Sequence, residues 1–204
     1  MFNYIIEKLT PKIARSIIVK NHYSKSYYSG SRFNYGLFKE GNLVGVICYG
    51  PPHSHSLKIA IAGKTYKNRV LELNRLWVAD SEPRNTESWF ISKTMKLVKS
   101  CDILVSFADP TQGHVGYIYQ ATNWLYTGQG QNSQALVPKG HTGHPLSVIY
   151  GYKKDDLVEK YGLENLEYRK ILGKHRYIYI LNKKKKKLIL SRLNYEIKPY
   201  PKKK

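Results

Sequence analysis

Segments with the spacing of strands alternate along this chain with segments that have the spacing of helices. The strand-like segments are residues 2–9, 33–38, 43–49, 70–78, 102–108, 124–128 and 177–181. The helix-like segments begin at residues 11, 86 and 117. This order of elements predicts an α/β or α+β fold, in which helices cover both faces of a mixed, mostly antiparallel sheet.

The first two predicted helices have recognisable starts and apolar stripes. Thr10 is a typical N-cap, and Pro11 suits the first helical position. Ala14 and Ile18 lie four residues apart, and the same spacing places His22 on their stripe, where the helix ends. Asn85 or Thr86 caps the second helix, which runs through Ser100 with a buried stripe of Ile91, Met95 and Val98.

The length of the chain favours one folded domain, because 204 residues lie within the range of a single domain. We expect residues 1–182 to form a single catalytic domain and residues 183–204 to form a basic, lysine-rich C-terminal extension. Residues 129–146 are predicted to be loop. Residues 153–169 are highly charged and are predicted to be partly helical.

The chain is strongly basic. Lys and Arg number 34 against 14 Asp and Glu, which gives a formal net charge of +20. Five consecutive lysines, Lys183, Lys184, Lys185, Lys186 and Lys187, lie near the C-terminus. A charge of this size exceeds what solubility requires, so a polyanion is the expected partner.

The two cysteines, Cys48 and Cys101, lie in apolar runs and cannot form a disulfide framework or a four-cysteine zinc site. We expect both to be buried, reduced thiols. The chain starts without the features of a signal peptide, and no apolar run approaches the roughly 18 residues of a membrane span. These observations predict a soluble, cytoplasmic protein with no membrane partner.

Asp109 follows a buried predicted strand, at the end of the strand where open α/β sheets bind ligands. Pro110 ends that strand, and Gly113 and Gly116 allow the backbone to approach a ligand closely. An alternative interpretation is that Asp109 caps the helix that follows, while the neighbouring tyrosines pack in the core. The residues alone leave both interpretations open.

His22 is predicted to leave the first helix just before a polar loop, residues 24–31. Imidazole titrates near neutral pH, so it suits proton transfer, and neutral imidazole also binds metals. Paired with Asp109, it would form either a base with an orienting carboxylate or two ligands of a metal such as iron or zinc. Both roles stay open, and no spacing typical of metal ligands favours the second.

Four segments together resemble the phage Mom family of DNA adenine modification proteins. They are NHYSKS at 21–26, LNRLWV at 73–78, FISKTM at 90–95 and FADPTQGHVGYIYQATNWLYTG at 107–128. The resemblance implies a GNAT-like fold, which the order of elements also matches. It further implies transfer of a carbamoylmethyl group to the exocyclic amino nitrogen of adenine in DNA, which protects the DNA from restriction.

The same resemblance implies roles for individual residues. His22, Tyr23, Asp109 and Tyr119 align with residues that the family needs for activity, and Arg75 aligns with a basic residue of the active cleft. It also implies bound iron, with His22 and Asp109 as its ligands.

The group donor is not identified by the sequence. Acetyltransferases of the GNAT type hold the coenzyme A pyrophosphate on a glycine-rich loop at a helix start. Here residues 79–88 read ADSEPRNTES, which contains no glycine and three acids. The sequence therefore argues against acetyl-CoA. A carbamoylmethyl group on nitrogen has the skeleton of glycinamide, so a glycyl carrier such as glycyl-tRNA is an admissible donor.

The amino group of adenine is paired in duplex DNA, so chemistry on it requires a flipped base and a pocket that accepts it. Aromatic rings stack on bases and amides read their edges, which predicts a pocket built from Tyr27, Tyr28, Tyr119, Gln120 and Asn123. Lys183–Lys187 are predicted to contact phosphates of double-stranded DNA. A tRNA is the alternative partner of these lysines, and a homodimer is one option for the assembly.

Three functions account for the sequence. In the first, a DNA-modifying transferase, Asp109 and His22 activate the adenine nitrogen or a metal-held reactant, and Tyr23 and Tyr119 position it. The second is an acetyl-CoA-dependent N-acetyltransferase, which the missing pyrophosphate loop disfavours. The third is a non-catalytic nucleic-acid-binding protein, which explains the charge but leaves the segment around Asp109 without a role.

Overall fold

A seven-stranded mixed sheet forms the centre of the protein, in a computed structural model that describes residues 3–143, 145, 148 and 152–202. Its strands are β1 (Ile5–Lys8), β2 (Phe33–Lys39), β3 (Asn42–Gly50), β4 (Val70–Val78), β5 (Ile103–Ala108), β6 (Leu125–Gln129) and β9 (His175–Ile180). Their order is β1-β2-β3-β4-β5-β9-β6. All neighbours pair antiparallel except β4 and β5, which are parallel. The predicted fold class is confirmed.

Helices cover both faces of this sheet. They are α1 (Pro11–Asn21), α2 (His55–Ala62), α3 (Thr86–Thr94), α4 (Tyr117–Gln120) and α6 (Lys186–Leu190), whereas α5 (Lys154–Tyr161) packs on a separate pair of strands. Successive residues of a strand point to opposite faces. Val46 and Cys48 of β3 therefore pack under α1, whereas Ile47 and Tyr49 belong to the core under α3.

The predicted signals of the first two helices are confirmed in part. Thr10 caps α1 by accepting a hydrogen bond from the backbone N–H of Ile13 at 3.3 Å. Ile91, Met95 and Val98 are buried as predicted, but α3 ends at Thr94, earlier than expected, so Met95 and Val98 lie in the segment after the helix. Both cysteine thiols are free and buried.

Two features of β4 open a gap in the sheet. The parallel ladder between β4 and β5 joins only Val70–Glu72 to Ile103–Val105. On the other side, the register of β4 with β3 shifts, because Leu73 faces Tyr49 whereas Arg75 already faces Cys48. Such a bulge inserts one residue and re-aims the next side chain. It turns Arg75 toward α1 at the point where β4 and β5 stop pairing.

Three segments differ from their predicted structure. Helix α2 begins at His55, although no helix is predicted between the strand that ends at residue 49 and the strand that starts at residue 70. The predicted loop at 129–146 contains strand β7 (Ser133–Pro138), and the partly helical segment at 153–169 contains the start of β8 (Leu166–Ile171). These strands pair with each other in a separate two-stranded sheet, whose apolar side packs on Leu157 of α5. Residues 144 and 146 of that loop, and Phe2 of the first predicted strand, lie outside the described residues.

The lysine-rich C-terminal segment packs against the sheet over the part that the structure describes. Ile189 of α6 is fully buried with Ile61 and Ile178, on the α2 face. The hydroxyl of Tyr200 donates a hydrogen bond to the backbone oxygen of Trp124 at 2.8 Å. Lys203 and Lys204 lie outside the described residues, and the domain boundary at residue 183 stays a prediction. Over the described ranges, no helix is long and apolar enough to cross a membrane.

Candidate active site

A cavity of about 510 Å³ occupies the gap between β4 and β5. The end of α1, the second half of β4, the end of β5, the loop after it and the start of α4 all contribute to its wall. The polar residues of the lining that matter for chemistry are His22, Tyr23, Glu72, Asn74, Arg75, Ser106, Tyr119 and Lys174. Four of the predicted site residues, His22, Tyr23, Arg75 and Tyr119, are thus brought together from three separate segments.

His22 forms the C-cap of α1 and is only 9% exposed. The backbone N–H of Ser24 donates to its Nδ1 at 3.1 Å, and the Ser24 hydroxyl lies 2.8 Å from the same atom. Because Nδ1 accepts a backbone N–H, the proton of the neutral ring is on Nε2. Burial, together with the charges of Arg75, His114 and Lys174, lowers the pKa of His22 to about 3. His22 is therefore neutral at physiological pH and suits hydrogen-bond donation better than proton acceptance.

Tyr23 and Tyr119 present phenol groups at this cavity in different environments. Tyr23 is 43% exposed and its ring stacks on His22, with ring centres 4.3 Å apart. Desolvation at the cavity wall and the nearby Asp109 carboxylate raise its pKa. Tyr119 is buried, and its hydroxyl is hydrogen-bonded to that of Ser106 at 2.8 Å. Burial raises the pKa of Tyr119 far above its ordinary value, so Tyr119 stays a neutral hydrogen-bond donor.

Asp109 lies behind the cavity wall and is 1% exposed. Its Oδ1 accepts a hydrogen bond from the backbone N–H of Thr111 at 3.0 Å and so caps the short 3-10 helix Pro110–Gln112. Its Oδ2 lies 3.5 Å from Nζ of Lys174, a residue that lines the cavity. The interpretation that Asp109 caps a helix therefore describes its local contacts. Asp109 acts on the cavity only through its ion pair, which holds the ammonium of Lys174 at the cavity wall.

Arg75 joins the bulge of β4 to the loop that follows α1. Its Nε donates to the backbone oxygen of Ser26 at 2.7 Å, and one Nη donates to the Ser26 hydroxyl at 2.8 Å. The other Nη donates to the backbone oxygen of Asn74 at 2.6 Å. Arg75 thus fixes the loop beside the cavity, and its charge acts on His22 and Glu72.

Glu72 and Lys174 line the cavity but were not predicted as site residues from the sequence. Burial raises the pKa of Glu72 to about 7, although the charges of Arg75 and Lys174 oppose this shift. One sequence signal could have identified Glu72. On strand β4 the polar residues Glu72 and Asn74 alternate with Leu71 and Leu73, which indicates that the polar side of this central strand does not face the core. Lys174 lies just before β9, far along the chain from Asp109, and nothing in its neighbouring residues indicates a role.

Other predicted base-pocket residues lie outside the lining of this cavity. The hydroxyl of Tyr27 donates to Oδ1 of Asn34 at 3.4 Å, and the ring centre of Tyr28 lies 3.7 Å from that of His53. The side-chain amide of Gln120 donates to the hydroxyl of Tyr177 at 3.0 Å. Asn123 lines a second depression on the α3 side, and Trp124 is fully buried. Lys183–Lys187 are exposed and form a 3-10 turn and the start of α6.

The described residues do not by themselves form an iron site. Across the described ranges, no group of three or more His, Cys, Asp or Glu side chains could hold a metal ion. The Asp109 carboxylate is engaged by Thr111 and Lys174, and the Nε2 atom of His22 carries the ring proton. Iron stays a prediction of the resemblance, and we assign it no step in the reaction.

The segment that would hold a coenzyme pyrophosphate is acidic. Asp80 and Glu87 line the cavity. Asn85, the N-cap of α3, has a positive φ of 71° and makes no side-chain capping hydrogen bond. A helix start flanked by carboxylates repels phosphate rather than binding it. This geometry supports the expectation that acetyl-CoA is not the donor.

Comparisons with known proteins agree with the predicted resemblance. The family model described as the Mom protein family matches residues 3–202. The methylcarbamoylase Mom of Escherichia phage Mu is 31% identical over 204 residues, which cover 97% of this chain and 83% of that protein.

Solved structures resemble this chain in fold. A GNAT family acetyltransferase from Elizabethkingia anophelis with acetyl-CoA bound is 11% identical, with a TM-score of 0.53 over 88% of this chain and 99% of that chain. An N-acetyltransferase from Staphylococcus aureus Mu50 is 12% identical, with a TM-score of 0.51 over 89% of this chain and 100% of that chain. At such low identity these likenesses show the fold alone, and the predicted GNAT-like fold is confirmed.

Proposed function

Because this chain belongs to the Mom protein family, we propose that it is a transferase that modifies phage DNA. In the reaction that we propose, a carbamoylmethyl group is placed on the exocyclic amino nitrogen of adenine. The observation that carries the proposal is the convergence of His22, Tyr23, Arg75 and Tyr119 on one cavity of about 510 Å³. Small-molecule sites range from about 300 to 1,000 Å³, so a flipped adenine is an occupant of suitable size.

Glu72 is the residue we assign as general base. The lone pair of the adenine amino group is delocalised into the ring, so the amine is a weak nucleophile that benefits from loss of a proton. A base works best when its pKa lies near the operating pH, and the pKa of Glu72 is about 7. In the first step, the amine nitrogen bonds to the ester carbonyl carbon of a glycyl carrier, its proton passes to the Glu72 carboxylate, and the carrier oxygen departs with the electron pair of the broken ester bond. This step gives the isomeric N-glycyl group. An intramolecular exchange of the two nitrogens between the carbonyl carbon and the methylene carbon, in which no atom or electron is gained or lost, then gives the carbamoylmethyl group.

A hydrogen-bond donor and a cation face the same cavity and would stabilise negative charge that develops on the group donor. The hydrogen-bond donor is the Nε2–H group of His22, and the cation is the ammonium of Lys174. The Tyr119 hydroxyl donates to Ser106, so its role is to shape and position the site. Preorganised donors of this kind act strongly in a site from which water is excluded. Tyr23, which is partly exposed and stacked on His22, is placed to pack against the adenine ring.

The donor that we propose is a glycyl carrier, such as glycyl-tRNA. The product group has the skeleton of glycinamide, and the carboxylates of Asp80 and Glu87 in the cavity wall disfavour the pyrophosphate of coenzyme A. The competing function is N-acetylation with acetyl-CoA, which is favoured by the fold of the acetyltransferase with acetyl-CoA bound. Binding of coenzyme A, measured by calorimetry, separates the two.

Lys183–Lys187 support the choice of double-stranded DNA as substrate. Their side chains are exposed, and lysine clusters bind phosphates without regard to sequence. Modification of adenine would protect phage DNA from restriction in the cytoplasm of the host.

The decisive experiment is mass spectrometry of nucleosides from the DNA of cells that express the protein and are fed labelled glycine. We expect a carbamoylmethyl group on deoxyadenosine that carries the glycine label, and its absence with Glu72→Gln. Fragmentation distinguishes this group from its isomer, an N-glycyl group, which simple acyl transfer would give. An unmodified deoxyadenosine pool despite expression of folded protein would refute the proposed reaction, and an acetyl group would favour the second candidate.

A further inference from the structure

A second, larger depression lies on the α3 side of the sheet, and no step of the proposed reaction uses it. It has a volume of about 840 Å³ and lies between α3, the turn after α4 and the end of β9. Met95, Val98 and Cys101 form an apolar floor, and each is buried. We call this depression the α3 groove.

The α3 groove has a positively charged lining. Arg69, Lys96 and Lys183 contribute cations, and Asp102 is the only acid among the described residues that line it. Both oxygens of Asp102 are already bonded to Arg69, at 3.0 and 3.1 Å, and Asn182 donates a further hydrogen bond at 2.9 Å. The charges of Lys96 and Lys183 are therefore left to attract an external anion.

Two aromatic rings in the lining each lie beside a lysine ammonium. Nζ of Lys93 is 5.4 Å from the ring centre of Trp89, and Nζ of Lys183 is 4.4 Å from that of Tyr179. The Tyr179 ring packs against the fully buried Trp124, with ring centres 5.8 Å apart, which holds it in place. Each ammonium lies over one face of its ring, so a base that stacks on that face displaces the flexible lysine side chain, and the ammonium then meets the phosphate.

Two features tie the α3 groove to DNA. Lys183 is both part of its lining and the first of the five lysines proposed to contact DNA phosphates. In addition, α3 and the segment around α4 contribute to both sites: Glu87 and Tyr119 line the cavity, whereas Ser88 and Ala121 line the groove. These two elements therefore connect the groove to the cavity that receives a base.

We propose that the α3 groove binds a single DNA strand, with bases stacked on Trp89 and Tyr179 and phosphates beside Lys96 and Lys183. The groove would recognise the unpaired bases and the phosphates of its partner, and it would not require an adenine amino group. This inference goes beyond the proposed function, because a transferase that flips one base out of a duplex does not require a separate site for unpaired nucleotides.

The test is fluorescence anisotropy of the full-length protein with a labelled oligothymidylate, which contains no adenine and so reports binding independently of the proposed reaction. Trp89→Ala is expected to weaken binding by roughly 5- to 150-fold, the effect of losing one stacked base. Lys96→Gln should reduce the slope of log affinity against log salt by about 0.7, as for one phosphate of a single strand. Lys12→Gln, on the exposed side of α1, is the matched control and should change neither quantity.

Circular dichroism of each variant establishes that it is folded, and Lys96→Gln, a surface substitution, keeps the test decisive if Trp89→Ala does not fold. Unchanged affinity and salt slope in Lys96→Gln would overturn the proposal. So would a loss of duplex affinity in Lys96→Gln equal to its loss of oligothymidylate affinity, because the groove is proposed to hold unpaired bases. Tighter binding of oligouridylate than of oligothymidylate would reassign the groove to an RNA partner. If the wild-type protein binds oligothymidylate but does not modify DNA, the result would count against the proposed reaction and not against the groove.

Discussion

The hydroxyl of Ser106 donates a hydrogen bond to the backbone oxygen of Leu73, 2.9 Å away, at the first position where β4 and β5 no longer pair. A side chain thus bridges the two strands where the ladder between them ends. The same hydroxyl is hydrogen-bonded to Tyr119, so one residue connects the opening of the sheet to a phenol of the catalytic cavity.

Ser106→Ala is expected to lower the free energy of unfolding by about 1–3 kcal/mol, because it leaves the Leu73 carbonyl and the Tyr119 hydroxyl without a buried partner. Modification of deoxyadenosine should fall as well, since Tyr119 loses the group that orients it. Chemical denaturation and nucleoside mass spectrometry measure the two effects. Ser191→Ala removes an exposed serine that bonds within its own turn, and it should change stability by less than about 0.5 kcal/mol.

Glu72 should give the transferase activity a dependence on pH. Its carboxylate must be ionised to accept a proton, and its pKa is about 7, so activity should rise as the pH increases from 6 to 8. Among the charged and titratable groups of the cavity, Arg75 and Lys174 favour ionisation of Glu72, and His22 and Tyr119 stay neutral over this range. Glu72→Gln should be inactive at every pH in this range. A wild-type rate that does not change between pH 6 and 8 would contradict the assignment of the base.

The same carboxyl should make stability fall as the pH rises. The pKa of Glu72 is about 7 in the folded protein against an ordinary value of 4.5, so the folded state retains a proton that the unfolded state releases. This contribution is fully present below pH 4.5 and is lost as the pH rises through about 7. Above pH 8, Glu72→Gln should therefore be more stable than wild type, by up to about 3 kcal/mol. Thermal denaturation of both proteins at pH 5 and pH 8 measures the difference, which should shrink at the lower pH.

The ion pair of Asp109 and Lys174 should respond asymmetrically to substitution. Lys174→Met removes a cation from a carboxylate that is 1% exposed, and it should lower the free energy of unfolding by about 2 kcal/mol. Asp109→Asn removes the buried charge and retains an oxygen that can accept from the backbone N–H of Thr111, so it should be less destabilising than Lys174→Met. Denaturation of the two variants under the same conditions makes the comparison. The reverse order of stability would show that the carboxylate does not depend on this lysine.

Replacement of Lys183–Lys187 by glutamine should weaken duplex DNA binding and flatten its salt dependence, by about 0.9 in log–log slope for each phosphate that the lysines no longer neutralise. The fold should be retained, because these side chains are exposed and glutamine is a good helix former. A fluorescence titration over a range of salt concentrations provides the slope. Glutamine at Lys153, Lys154 and Lys160, around α5, is the control, and an equal effect there would place the DNA-binding surface elsewhere.

Local signals were sufficient for much of the fold. Thr10 and Pro11 marked the start of α1, and the spacing of Ile91, Met95 and Val98 identified the buried side of α3 and of the segment that follows it. Such signals act over a few residues, through capping hydrogen bonds and helical periodicity, so they are visible without knowledge of the fold. Strands β7 and β8 were missed because each is stabilised by pairing with the other, about 30 residues away along the chain.

The properties of the candidate site also fall into two groups, those that local sequence signals predicted and those that depend on the fold. The sequence by itself determined the family, the position of Asp109 at a strand end and the placement of His22 at a helix end. Only the tertiary structure decided that Asp109 faces Lys174, that the pKa of His22 falls to about 3 and that the pKa of Glu72 rises to about 7. Protonation depends on burial and on charges summed over several elements of the fold, and these distances exist only once the sheet has formed.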